Sequence, residues 1–398
     1  MMSEYITVSY LIEAKNLHKK AESIAVGMTV GSWTDLPLAR QELLAPYLGT
    51  TGNVTIMEER NGLQKGIISI RYPVGNITPD IPALLTTVFG KLSMDGKIKL
   101  LDIDFPPSLL KQFPGPKFGI AGVRELLGVH DRPLLMSIFK SCLGLPLGEL
   151  ETQFAAQVEG GVDLVKDDEI FFVDDKAPLA NRLTAYNRII EASGRTVLYA
   201  VNLTGPVHQL VDKAKYAIEK GANCLLLNVL PYGFDILHRL AADPDINVPL
   251  MAHPAMAGAF YASDEYGIAS PLLLGKLMRL AGADMILYPS PYGSVALKQS
   301  EALAIAEHAR ISNDVHKSSF PVPSAGIHPG LVGKLYDDFG MDVIVNAGGG
   351  IHGHPGGAAD GARAFRAAIN TVVQGKTLAE GAKVSKPLAI ALEKWGGA

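Results

Sequence analysis

The sequence predicts an α/β protein built as a C-terminal (β/α)8 barrel preceded by a smaller α+β domain. Three observations carry this. Across residues 116–398, short apolar runs alternate with stretches of helical periodicity. The runs number eight over roughly 270 residues, the size expected of such a barrel. Before residue 115, strand-like and helix-like segments occur without strict alternation, and Pro106, Pro107, Pro114 and Pro116 crowd the join. An open doubly wound sheet is the alternative for the second part.

In the first part, residues 5–13 read as a strand and 17–28 as an amphipathic helix. Residues 53–59 and 66–72 are strand-like, 81–89 helical, and 98–105 a strand again. In the second part the eight apolar runs are 134–139, 162–165, 196–201, 224–230, 248–252, 285–288, 320–323 and 342–346. The clearest intervening helix is 206–220, with Pro206 suited to a first helical position and Gly221 to a C-terminal stop.

Composition excludes several classes. Of 398 residues, 48% are hydrophobic and 19% charged, which supports a large core and argues against disorder. The net charge is -4 with both signs interspersed, so no basic face for nucleic acid is expected. Cys142 and Cys224 are the only cysteines, which fits a reducing compartment better than a disulfide framework. No run approaches the length of a membrane span, and residues 1–15 lack a signal-peptide core. The expectation is a cytoplasmic protein with no membrane or nucleic-acid partner.

A barrel places its chemistry at the C-terminal ends of its strands. Polar groups stand at nearly every such end here: Lys140, Lys166-Asp167-Asp168-Glu169, Asn202, Asn228, His253, Ser324-Ala325-Gly326 and Asn346-Ala347-Gly348-Gly349-Gly350. Alternation along a strand puts Lys166 and Asp168 on one face, and Glu169 can join them where the strand turns. Adjacent carboxylates call for a cation, and Mg²⁺ prefers oxygen ligands. An ammonium cannot be a ligand, but a neutral lysine amine can take up CO2 as a carbamate. The simpler reading is that Lys166 neutralises the acids on a solvated loop. The two glycine-containing loops after strands seven and eight suit a phosphate, because backbone N–H groups without a Cβ can approach it closely. An ordinary glycine-rich turn is the alternative.

These residues also carry a resemblance. Gly160-Gly161-Val162-Asp163-Leu164-Val165-Lys166-Asp167-Asp168-Glu169 resembles the metal-site motif of the RuBisCO large chain. Arg132-Pro133-Leu134-Leu135 through Lys140 is similar to its first barrel strand, and Gly31-Ser32-Trp33-Thr34 to its N-terminal phosphate-contacting segment. Ser324-Ala325-Gly326-Ile327-His328, and Gly348-Gly349-Gly350 with Gly353-His354-Pro355, resemble its two phosphate loops. The resemblance implies a carbamylated Lys166 completing a Mg²⁺ site with Asp168 and Glu169. It implies that Ser324, Gly326, Gly348 and Gly349 hold phosphate or substrate oxygens. It further implies an α+β sandwich for the N-terminal domain, and a homodimer whose active site lies at the interface, with Ser32 and Trp33 reaching the phosphate from a neighbouring subunit.

The departures from the carboxylases are specific. Cys142 stands where they carry a second lysine, Pro254 where they carry an arginine, and Gly27 and Thr87 where they carry an acid and an asparagine. Tyr288-Pro289-Ser290-Pro291-Tyr292-Gly293 replaces a histidine and a lysine-bearing loop. The implied protein enolises and does not fix CO2. Thr86-Thr87-Val88-Phe89-Gly90-Lys91-Leu92-Ser93, Leu135-Met136-Ser137-Ile138-Phe139-Lys140, Ala252-His253-Pro254 and Pro289-Ser290-Pro291-Tyr292-Gly293-Ser294 resemble the branch of 2,3-diketo-5-methylthiopentyl-1-phosphate enolases of methionine salvage. That branch implies a small phosphorylated diketone as substrate and Mg²⁺-dependent abstraction of its C1 proton. Lys91 and Lys140 compete as base; the branch favours Lys91, with Lys140 as electrostatic support. His253 can donate to a substrate oxygen or be structural. Asn202 and Asn228 can serve only backbone groups, and His352 and His354 are not read as ligands. A RuBisCO-like isomerase of another sugar phosphate and a non-enzymatic scaffold are the alternatives.

Overall fold

In a computed structural model, residues 4–172, 175–293, 297–311 and 313–397 are described. The N-terminal sheet contains β1 (Tyr5–Ala14), β2 (Thr50–Arg60), β3 (Leu63–Pro73) and β4 (Ile98–Asp104). β1 is central and antiparallel to both β3 and β4. Its alternation buries Ile6, Val8, Tyr10 and Ile12 on one face. The helix Leu17–Gly27 covers that face with Leu17, Ala21, Ile24 and Ala25, and Asn16 caps it by accepting from Lys19 N. The Tyr10 hydroxyl donates to Val88 O at 2.6 Å, tying the sheet to the helical turn of residues 86–90 that precedes Lys91.

The barrel strands are β5 (Leu134–Ile138), β6 (Leu164–Lys166), β7 (Leu198–Asn202), β8 (Cys224–Asn228), β9 (Leu250–His253), β11 (Met285–Pro289), β12 (Phe320–Ser324) and β13 (Ile344–Ala347). All neighbours pair in parallel, in the order β12-β11-β9-β8-β7-β6-β5-β13. At the seam between β12 and β13, Asn346 Nδ2 donates to Ser324 Oγ at 2.7 Å. Each strand is followed by a helix, from Leu147–Glu159 after β5 to Gly357–Val373 after β13. Inward side chains such as Met136, Leu164, Leu226, Met251, Met285 and Phe320 form one core, separate from the larger core between strands and helices. The helix Gly119–Leu127 adds Val123 and Leu127 to that inner core.

All eight predicted runs become barrel strands. Pro206 differs from expectation: it precedes a 3₁₀ turn, Val207–Gln209, and the α-helix begins only at Leu210. Several further elements have no counterpart in the sequence reading, among them the following two. The helix Leu38–Leu44 buries none of its residues. β10 (Gly267–Ile268), from the segment after β9, joins the N-terminal sheet in parallel with β4. Both cysteines are free and buried. Among the described residues, no helix is long and apolar enough to cross a membrane.

Candidate active site

A cavity of about 560 Å³ opens at the C-terminal ends of the barrel strands. Lys140, Lys166, Glu169, His253, Ser324, Gly326, Gly348 and Gly349 all line it, together with Asn346 and Trp395. Asp168 joins this group through its ion pair with Lys140, Nζ to Oδ2 3.0 Å.

The end of β6 sorts its side chains by alternation. Asp167 points away from the cavity and is buried with Arg182, 2.9 Å from Nη1, and with the Tyr199 hydroxyl at 2.5 Å. It also accepts from Asn202 N. This buried anchor fixes the strand end, so Lys166 and Asp168 face the other way. The solvated-loop reading of Lys166 is overturned: the side chain is wholly buried, with Nζ donating to Asp167 O at 2.8 Å and 3.7 Å from Glu169 Oε2. Burial pushes its amine below the usual lysine range, against the pull of Glu169 and Asp168. A buried amine with a lowered pKa is more readily neutral, the form that adds CO2.

The asparagines at the ends of β7 and β8 serve the same strand end. Asn202 Nδ2 donates to Asp168 O at 3.2 Å and Glu169 O at 3.1 Å, and Asn228 Nδ2 to Glu169 O at 2.9 Å. Their role is to hold the backbone from which both carboxylates project. His253 Nδ1 accepts from Ala255 N, which leaves the proton of the neutral ring on Nε2, 3.6 Å from Glu169 Oε2. Burial pushes His253 well below the usual histidine range.

The residues present fit a hard divalent cation. Asp168 and Glu169 supply oxygens, and among the described residues no third His, Cys, Asp or Glu completes a cluster. A carbamate on Lys166, if formed, would add a further oxygen beside them. The Asn346 Oδ1, buried at the cavity wall, has no hydrogen-bond partner.

The glycine loops are shaped by close approach. A Cβ at Gly348 would stand 2.6 Å from Lys140 Cε, whereas one at Gly349 would meet nothing within 4 Å. Gly326 has φ +71°, and its Cβ would stand 2.4 Å from Gly293 Cα, so the loops after β11 and β12 touch backbone to backbone. Ser324 Oγ donates to Val322 O and accepts from Asn346. Ser141, Met256 and Ala325, all just beyond strand ends, hold positive φ of 54°, 70° and 73°. Such backbone collects where surrounding structure enforces it, often at sites of function.

Three expected residues stand apart. Lys91 is exposed and lines a separate hollow with Gly27, Gly31, Tyr47 and Thr87, and neither Ser32 nor Trp33 lines the barrel cavity. Within one chain they are not brought to Lys166. His352 and His354 each engage a backbone carbonyl, of Ile138 and Pro387 respectively. Ser294 lies outside the described residues. The sequence reading missed Trp395, which ends the helix Lys386–Trp395 and stacks on His328 with ring centroids 6.1 Å apart. Its signal was faint, as one of only two tryptophans on an otherwise ordinary amphipathic helix.

The chain is similar in sequence and fold to known proteins. The family model for the ribulose bisphosphate carboxylase large chain, catalytic domain, matches residues 119–395. A 2,3-diketo-5-methylthiopentyl-1-phosphate enolase of Bacillus cereus is 53% identical over 408 residues, covering 98% of this chain and 97% of its own. The crystal structure of a rubisco-like protein (MtnW) from Alicyclobacillus acidocaldarius is similar with TM-score 0.94 and 51% identity, covering 99% of this chain and 100% of that one. An octameric ribulose-1,5-bisphosphate carboxylase/oxygenase from Pyrococcus horikoshii gives TM-score 0.90 at 29% identity, over 98% of this chain and 93% of that one.

Proposed function

The chain belongs to the RuBisCO large-chain family, in its 2,3-diketo-5-methylthiopentyl-1-phosphate enolase branch, and from that premise we propose that it is the keto-enol isomerase of methionine salvage. It converts 2,3-diketo-5-methylthiopentyl-1-phosphate to 2-hydroxy-3-keto-5-methylthiopentenyl-1-phosphate. The observation that carries the reading is one cavity lined by buried Lys166, by Glu169 and by two glycine loops, with Asp168 joined to it through Lys140.

Asp168, Glu169 and a carbamate on Lys166 would hold Mg²⁺, which when bound supplies Lewis-acid polarisation of the diketone. The backbone N–H groups of Gly348 and Gly349, with the Ser324–Gly326 turn, receive the phosphate. Lys140, beside Asp168, offers positive charge to the developing enolate oxygen. His253 donates from Nε2 to a substrate oxygen. Lys91 takes the C1 proton, and Ser32 and Trp33 close over the phosphate. All three come from the N-terminal domain of a second copy of this chain, so the working unit is a homodimer. Exposed apolar side chains support that assembly: Leu38 and Leu43 are each 72% exposed, and Ile170 and Phe172, which follow Glu169 in the chain, are exposed as well.

The test is turnover of the diketone phosphate with Mg²⁺, with and without bicarbonate. Bicarbonate-stimulated enolisation supports both substrate and carbamate. A folded protein inactive under both conditions loses this assignment, and other phosphorylated ketones become the substrates to try.

A further inference from the structure

A second chamber, of about 320 Å³, adjoins the main cavity and shares Glu169, His253, Leu287, Ser324 and Ala325 with it. Beyond that common wall, its described lining carries no charged side chain. Pro254, Ala255, Met256, Ala257, Tyr261 and Pro289 make most of it. The two spaces therefore differ in chemistry. The first holds lysines, carboxylates and glycine loops, and the second is an apolar recess entered past Glu169 and His253.

The wall is built rather than incidental. Met256 sits with φ +70°, a conformation a methionine rarely adopts, one residue before Ala257, which caps the short helix Gly258–Tyr261. Ala257 N donates to Pro254 O at 2.9 Å, and Ala255 N donates to His253 Nδ1 at 3.2 Å. The bond that orients the His253 ring thus belongs to the first residue of the recess after Pro254. From the far side, Lys99 Nζ donates to Tyr261 O at 3.2 Å and to Ser263 O at 2.5 Å.

We propose that this recess, walled by Pro254, Ala255, Met256 and Tyr261, is the specificity subsite for the apolar, thioether-bearing tail of the substrate. The proposal rests on the enolase reading. With the phosphate on the glycine loops and the two carbonyls over Lys166, Asp168 and Glu169, the tail continues past Glu169 into either water or the recess. Transfer of each methylene from water into an apolar site favours the recess by about four-fold. A thioether adds polarisable contact surface without needing a strong hydrogen-bond partner.

The test compares kcat/KM for a series of 2,3-diketoalkyl 1-phosphates with tails lengthened one methylene at a time, using the full chain with Mg²⁺ and bicarbonate. Wild type is expected to gain about four-fold per methylene, chiefly through KM. Ala255→Leu, which fills the recess, is expected to reverse the preference, changing the longest-to-shortest ratio by about ten-fold or more. Met256→Gly removes one wall and accepts the positive φ, so it gives a second, fold-compatible variant; its long-tail advantage should fall by about five-fold. Equal kcat/KM for all tails in wild type, or a tail dependence unchanged in both variants, overturns the subsite. Failure of wild type to enolise any member is a different result: it removes the enolase reading, and the subsite with it.

Discussion

Lys140 lies across Gly348, so close that a β-carbon there would stand 2.6 Å from its Cε, while its Nζ reaches Asp168 at 3.0 Å. One lysine thus touches both the loop assigned to the phosphate and a carboxylate assigned to the metal. Gly348→Ala would push the lysine stem aside. The atom displaced is the far end of a flexible side chain, so the fold should survive. Catalysis should fall by about 10²-fold, the scale of a misplaced reacting group. Steady-state kinetics beside a thermal melt would check this; unchanged kcat/KM would detach Lys140 from the reaction.

Lys91→Ala should lower exchange of the C1 proton with solvent by about 10²–10⁴-fold while bicarbonate-dependent Mg²⁺ binding survives. Exchange followed by NMR in deuterated water reads the step directly. Retained exchange would move the base to Lys140.

Asn228→Ala removes the 2.9 Å bond to Glu169 O without touching either carboxylate. Support of this kind beyond the ligands typically changes metal affinity by about 10–100-fold. Mg²⁺ titration of the bicarbonate-treated protein should show that weakening, and a wild-type affinity would reduce Asn228 to a packing role.

Asp163 is a stability residue at the opposite end of β6. It accepts from Leu135 N and pairs with Arg132 at 2.7 Å and Arg366 at 2.8 Å. Burial works against its charge, yet the arginines hold its carboxyl below the usual carboxylate range. Because the folded value is depressed, the stabilisation is present above the unfolded value and is lost as pH falls through the folded one. Asp163→Asn, leaving part-buried guanidinium groups short of an anion, should cost about 1–3 kcal/mol at neutral pH. The deficit should shrink as pH falls below the usual carboxylate range. Denaturant melts at several pH values test both; a pH-independent deficit would assign the loss to packing.

Much of this architecture was readable from the chain because periodicity and strand-end chemistry reinforce one another. The common face of Lys166 and Asp168 follows from two-residue alternation, and the approach of Glu169 from the turn at the strand end. The anchoring of Asp167 did not, since its partners Tyr199 and Arg182 lie 32 and 15 positions away and only tertiary packing unites them. Nor did Trp395, whose approach depends on where the last helix docks. Leu38–Leu44 gave no amphipathic signal because it buries no face within one chain. Gly267–Ile268 is too short for any pattern to register.

That two-residue strand has a mechanical meaning. Ala269 N donates to Leu100 O at 2.8 Å, and Gly267 and Ile268 pair with Lys99 and Leu100. The segment leaving β9, which passes His253 and the recess before reaching Gly267, is thereby stitched to the N-terminal sheet. The recess wall and the N-terminal sheet are thus anchored to one another through the chain between Ala255 and Gly267, and the His253 ring takes its orientation from the first residues of that same anchored segment.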